Sequence, residues 1–371
     1  MDSNASLHVV QYGVRKEHRP NPIVQLGLFT DTDGIPLAFD LHPGNTNEQT
    51  TLKPLEQRIM RDFDKSRFVV CSDAGLSSFA NRRFNNSQGR AFITIQSLKK
   101  MKAFQKDWAL DTRGWRLESQ TGTYDLKKIL SDPEAEEKYQ HSTFFKERWF
   151  KEGSLEQRYI VSFSLKYKLY QEAIRAEHIE RAQMIFERGG LRPKGSNDPS
   201  RFVRQLYFDD DGVICNESLA YLNQKRIQDE TLYDGFYCVA TNLEDSADVI
   251  LKANRRHWEI EESFRILKSE FRTRPVYLSK DDRILAHFLI CFMALYLFRI
   301  LEKGLGEEFT VETIVSTLRH MDFLENKNHG YMPTYKRSNL TDKLHQNAGF
   351  YTDFEILTVK DMKKVIRQSK N

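Results

Sequence analysis

Two apolar, strand-like runs, residues 23–29 and 35–41, flank Thr30-Asp31-Thr32-Asp33-Gly34. An Asp-Gly step between such runs is a strong hairpin signal, because glycine accepts the positive φ that a tight turn demands. After Pro43-Gly44-Asn45-Thr46 the pattern predicts a helix over 48–62. A short, wholly apolar run follows, Phe68-Val69-Val70-Cys71, ending at Ser72-Asp73-Ala74-Gly75. A helix over 77–86 and a strand over 91–95 complete a β-β-α-β-α-β order. That order commits the chain to an α/β layer, with a carboxylate offered from the end of a strand. Asp73 is that carboxylate. An aspartate at such a junction equally serves as a turn or helix cap, so the position alone leaves both roles open.

A second acidic position stands far downstream, in Arg256-His257-Trp258-Glu259-Ile260-Glu261-Glu262-Ser263-Phe264-Arg265-Ile266-Leu267-Lys268. At about 100° per residue, Ile260, Phe264, Leu267 and Phe271 share one stripe, which predicts a helix burying that face. Glu261, Arg265 and Lys268 lie along the neighbouring edge. One carboxylate followed by two cations suits a metal-assisted nuclease, the acid holding an ion and the bases gripping phosphate. The same spacing also describes a solvated i, i+4 Glu261–Arg265 pair, stabilising the helix by a few tenths of a kcal/mol. Trp258 reads as core in preference to a base-stacking platform, and Glu262, about 100° away from Glu261, as solvated.

The 371 residues are 40% hydrophobic and 12% aromatic, enough for a full core and two or three domains. A formal charge of +4 is compatible with nucleic acid without requiring it. Four dispersed cysteines (Cys71, Cys215, Cys238, Cys291) form no CxxC pair and read as buried free thiols of a reducing compartment. The ten histidines include no HExxH pair. No apolar leader opens the chain. The apolar stretch 284–301 is interrupted by His287 and bounded by Arg283 and Arg299, so it reads as a buried core helix of a chain with no membrane span.

From 97 to 232 charge rises and aromatic residues pair. Strands are expected at 159–164 and 204–208, and helices at 171–188 and 217–231. This stretch reads as an inserted subdomain. It divides a core of 1–96 and 233–301, with a strand over 235–241, a helix over 245–271 broken near Asn254, and a tail over 302–371.

The arrangement W-x-I-E-x-x-F-R-x-L-K at 258–268, followed by Arg274-Pro275-Val276-Tyr277, resembles the end of the catalytic core in bacterial insertion-sequence DDE transposases. It is similar to the IS4-like group, whose last acid sits in a tyrosine–arginine–glutamate–lysine signature with glutamate and lysine seven positions apart, as Glu261 and Lys268 are. Tyrosine and arginine of that signature fall on Asn254 and His257, which differ. Val70-Cys71-Ser72-Asp73-Ala74-Gly75-Leu76 resembles the segment of the second catalytic aspartate. Tyr12-Gly13-x-x-Lys16, Gly27-Leu28, Gly34-Ile35-Pro36-Leu37, Pro43-Gly44-Asn45-Thr46 and Asp234-Gly235-Phe236-Tyr237 follow in family order. The resemblance thus covers roughly 12–96 and 220–300.

It implies an RNase H-like mixed sheet flanked by helices and interrupted by a mixed β/α insertion. It implies two Mg²⁺ (or Mn²⁺) ions held by three carboxylates, Asp73 and Glu261 being two of them. Arg265, Lys268 and His257 would contact the backbone of double-stranded DNA, both transposon ends and target, in the bacterial cytoplasm. A homodimer in a DNA complex is open. The family's first catalytic aspartate precedes Tyr12-Gly13 in an Asp-x-Thr strand. Asp2, the one acid upstream of Tyr12, lacks that setting, so the expectation is a chain truncated before its first strand. Two other readings stand beside transposition. One is a non-catalytic remnant binding DNA through Arg265, Lys268, Lys99, Lys100 and Lys102. The other is a stand-alone nuclease on the same fold.

Overall fold

A computed structural model describes residues 24–63, 68–87, 89–118, 120–187, 198–208, 217–256, 258–327, 329–353 and 356–369. Asp2, Tyr12, Gly13, Lys16, Cys215 and His257 lie outside the described residues.

The chain begins with β1 (Val24–Thr30), β2 (Pro36–Pro43), α1 (Glu48–Asp62), β3 (Val69–Ser72), α2 (Phe79–Phe84) and β4 (Ala91–Ile95). Next come α3 (Ala103–Leu110), β5 (Arg116–Leu117), α4 (Leu126–Leu130), α5 (Pro133–Tyr139), β6 (Thr143–Glu152) and β7 (Leu155–Ser164). They lead to α6 (Leu165–Glu187), β8 (Val203–Phe208), β9 (Glu217–Leu222), α7 (Gln224–Thr231), β10 (Phe236–Thr241) and α8 (Ala247–Arg255). The last third holds α9 (Trp258–Ser269), α10 (Asp281–Gly304), α11 (Val311–Arg319), β11 (Phe323–Asn326), β12 (Gly330–Pro333), α12 (Asn339–Ala348) and α13 (Val359–Gln368).

These elements form two compact units, Met1–Asp64 with Arg255–Asn371, and Lys65–Asn254. The second unit is built on a six-stranded mixed sheet in the order β3-β4-β10-β7-β6-β5. β3 and β4 run parallel, whereas β10, β7, β6 and β5 pair antiparallel. β7 lies inside the sheet and is buried on both faces. Val161 and Phe163 pack with Trp115, Phe144 and Leu126 on one side; Ile160 packs with Val239, Ile250 and Leu251 on the other. Helices flank the sheet, as in an RNase H-like fold. Strands from within 97–232 pair directly with β10, so the sheet runs through that stretch.

In the first unit β1 and β2 form the expected hairpin, Leu28 opposite Phe39. Its apolar face packs on α9 and α10 through Leu28, Ile266, Leu267, Cys291, Leu295 and Phe298. The Phe39 and Phe292 rings lie 5.1 Å apart.

Three expectations are corrected. Residues 217–222 form β9 paired with β8, and helix starts only at Gln224. The 284–301 helix is core on one face alone: Ile284, Phe288, Cys291, Leu295 and Phe298 are buried, while Leu285, Ile290, Met293 and Leu297 are exposed. By length and composition α10 is apolar enough to cross a membrane. Cys71 is exposed, because alternate residues of the edge strand β3 face outward, while Cys238 and Cys291 are buried. The break expected near Asn254 falls at Arg256, between α8 and α9.

Candidate functional site

Asp73 is the residue after β3, at the carboxyl end of the parallel β3–β4 pair. Ser72 Oγ donates to Thr94 Oγ1 at 3.0 Å and locks that end of the pair. The Asp73 side chain is exposed, and its Oδ1 accepts from the Leu76 backbone amide at 3.0 Å. The turn-capping role read from sequence is therefore real. It orients the carboxylate and occupies one lone pair of one oxygen. Strand carboxyl ends are where open α/β sheets place their ligand-binding groups.

Glu261 stands in the first turn of α9, exposed. The Glu261–Arg265 pair expected at i, i+4 is not formed. Arg265 turns to Glu262 instead, its Nε 2.8 Å from Oε2 and its Nη2 bonded to Oε1. That fork holds the Glu262 carboxyl below its ordinary range. Glu262, read as solvated, is an ion-pair partner, and no described cation pairs with Glu261. Lys268, seven residues on, returns to nearly the same face of the helix and is exposed, its Nζ 6.0 Å from the Phe264 ring. Trp258, read as core, is 56% exposed, which corrects that expectation.

The buried line of α9 also departs from the predicted one. Ser263, Ile266 and Leu267 are buried, whereas Ile260, Phe264 and Phe271 are half-buried. The cause is Arg299, 5% exposed on α10. Its Nη2 donates to Ser263 Oγ at 2.9 Å and to the Glu259 carbonyl at 3.0 Å, and its Nη1 to Glu302 at 2.6 Å. A serine facing a buried guanidinium ends up in the core.

The start of α9 is held from the other side by the β1–β2 turn. Arg256 Nη1 donates to the Thr32 carbonyl at 2.8 Å and lies 3.3 Å from Asp33 Oδ1. Gly34, at φ 74°, lies so near that a Cβ there would come within 2.3 Å of Glu259 Oε2. Desolvation in this contact raises the Glu259 pKa, against the pull of Arg256, Lys303 and Arg299. Arg256, Glu259 and Arg299 are thus the positioning residues that sequence reasoning missed. The Asp33-Gly34 turn was visible; its place against α9 was not.

Among the described residues, no group of three or more His, Cys, Asp or Glu side chains is clustered as a metal site. The donors singled out are carboxylate oxygens, the ligand type that Mg²⁺ and Mn²⁺ prefer.

Residues 16–297 match a family model described as "Transposase DDE domain". The chain belongs to that family. The match runs from the stretch before β1 through both units to α10, and so includes Asp73 and Glu261. No match was found among curated proteins. The function of this transposase domain entails a DNA substrate, and the family is generally dependent on divalent metal.

Proposed function

We propose that this transposase cleaves and joins DNA strands at the ends of a bacterial insertion sequence, acting in the cytoplasm on nucleoid DNA. Asp73 and Glu261 would supply two of the carboxylates that hold Mg²⁺ or Mn²⁺. The observation that carries this reading is the state of Glu261. It is solvent-facing and no described cation pairs with it, while its neighbour Glu262 takes up Arg265. A carboxylate on a helix anchored by Arg299 and Arg256, with no ion pair to a described cation, is available to an incoming ion.

In cleavage, the oxygen of water attacks the phosphorus of a backbone phosphodiester and the bond to the 3′ oxygen breaks. That oxygen leaves with a proton from solvent. In strand transfer the attacking group is the liberated 3′-hydroxyl, and the target strand's 3′ oxygen leaves. Divalent metal, when bound, would lower the pKa of the attacking oxygen and offset the negative charge on the phosphate and leaving oxygens. The residues of this chain do the rest. Arg265 and Lys268, beside Glu261, grip backbone phosphates, with His257 placed where the family carries arginine. Arg299 and Arg256 hold α9 so that these groups keep one orientation.

The test is nicking of a duplex bearing the element's terminal repeats, with Mg²⁺ or Mn²⁺. Wild type should nick it and Glu261→Ala should not. Duplex binding with no metal-dependent cleavage would reduce the protein to a DNA-binding remnant. Cleavage of any duplex, repeats or none, without joining would make it a nuclease.

A further inference from the structure

The last fourteen residues carry five cations and a single acid, Asp361. Four of the cations lie on α13. At about 100° per residue, Lys360, Lys363, Lys364 and Arg367 fall within about a 100° arc. Val359, Met362, Val365 and Ile366 occupy the opposite side, with Met362 and Val365 half-buried. All four cations are exposed, and none forms an ion pair with a described carboxylate. Asp361 is engaged at the helix start, where the Thr358 hydroxyl donates to its Oδ2 at 2.6 Å and accepts from its amide at 3.2 Å.

The orientation of this face is fixed by backbone. Tyr331 and Leu357 exchange two hydrogen bonds, of 2.7 and 2.8 Å, pinning the chain that enters α13 to β12. Their approach depends on Gly330, at φ 109°, where a Cβ would sit 2.1 Å from the Leu357 carbonyl oxygen. A solvated charge run needs no such anchoring.

We infer that the Lys360–Lys363–Lys364–Arg367 face of α13 is a second DNA-backbone contact surface, distinct from the carboxylate-bearing elements. From Lys360 to Arg367 the face spans about 10 Å of helix, the axial rise of about three phosphates on one strand of duplex. Its partner is a polyanion of regular spacing, recognised through charge and without base contacts. This rests on the reading of the chain as a DNA-acting transposase, but not on its catalytic residues.

The experiment uses the full chain and a labelled duplex without terminal repeats, in EDTA, so that metal chemistry contributes nothing. Affinity is measured by fluorescence anisotropy across a salt series. Each phosphate contact contributes about −0.9 to the slope of log affinity on log salt. The variant K360Q/K363Q/K364Q/R367Q should lose about 3 to 4 units of that slope and at least tenfold in affinity at ~0.1 M salt. Arg367→Gln alone should lose about one unit. Gly330→Ala, which displaces α13 with every cation retained, should also weaken binding. Unchanged slope and affinity in the single and quadruple variants, with circular dichroism like wild type, would overturn the inference. So would a defect confined to vesicles of phosphatidylserine and phosphatidylcholine, with duplex binding intact. Either failure would leave metal-dependent nicking by wild type, and hence the carboxylate reading, standing.

Discussion

Arg299 Nη2 reaches Ser263 Oγ at 2.9 Å and the Glu259 carbonyl at 3.0 Å, so one buried guanidinium of α10 fastens the helix that carries Glu261. Removing it strands Glu302 and leaves Ser263 without its donor in the core. Arg299→Ala should destabilise the protein by about 3 kcal/mol, the lower end of the range for breaking a buried pair. Urea unfolding midpoints measure this. Arg299→Met, which refills the volume and leaves the charge unmatched, should recover part of the loss only when combined with Glu302→Gln.

Arg265 is held by Glu262, and its availability to DNA depends on that carboxylate. Glu262→Gln should free the guanidinium and remove a negative charge from the same edge. Affinity for any duplex should rise a few-fold, with a steeper salt dependence. The pair also sets a pH signature. The Glu262 carboxyl is held below its unfolded value, so its contribution is present above about pH 4.3 and fades as pH falls through the folded value. Because the pair is partly solvated, the effect is about 0.5 kcal/mol. The stability gap between wild type and Glu262→Gln should be constant above about pH 4.3 and close as pH falls through that acidic window.

Lys146 gives a pH dependence of opposite cause. It is buried in the second unit, donating to the Asp111 carbonyl at 2.6 Å with its Nζ 4.5 Å from the Trp115 ring. Desolvation lowers its pKa to about 8, against an ordinary value near 10.4. Between those values the unfolded chain binds more protons than the folded one. Stability should therefore rise with pH from about 8 to about 10, by about 2 kcal/mol. Lys146→Met should remove that rise and be at least as stable as wild type at neutral pH. A flat alkaline profile in wild type would contradict it.

Much of the scaffold was readable because it is local. The Asp33-Gly34 hairpin, the helix after Asn47 and the apolar run into Asp73 each follow from turn chemistry and periodicity within a few residues. Elements decided by distant partners were not. Residues 217–222 are strand because β8 pairs with them. Ser263 is buried because Arg299, thirty-six residues beyond it, sits opposite the serine. Periodicity reported that α9 has a buried side, while the guanidinium on another helix decided where its centre lies. Spacing likewise placed Glu261 and Arg265 together, but Glu262, one residue nearer, won the arginine. Asp73 and Glu261 were legible as acids at element ends, since strand termini and first helical turns are marked in sequence.

The proposal most open to direct test is that Asp73 and Glu261 would serve the same divalent ions. Titration of Mn²⁺ binding to wild type, Asp73→Ala, Glu261→Ala and the double variant tests it without requiring turnover. Each single substitution should abolish the tight Mn²⁺ binding of wild type, and the double variant should lose nothing further. Full Mn²⁺ binding in either single variant, or losses that simply add, would contradict it.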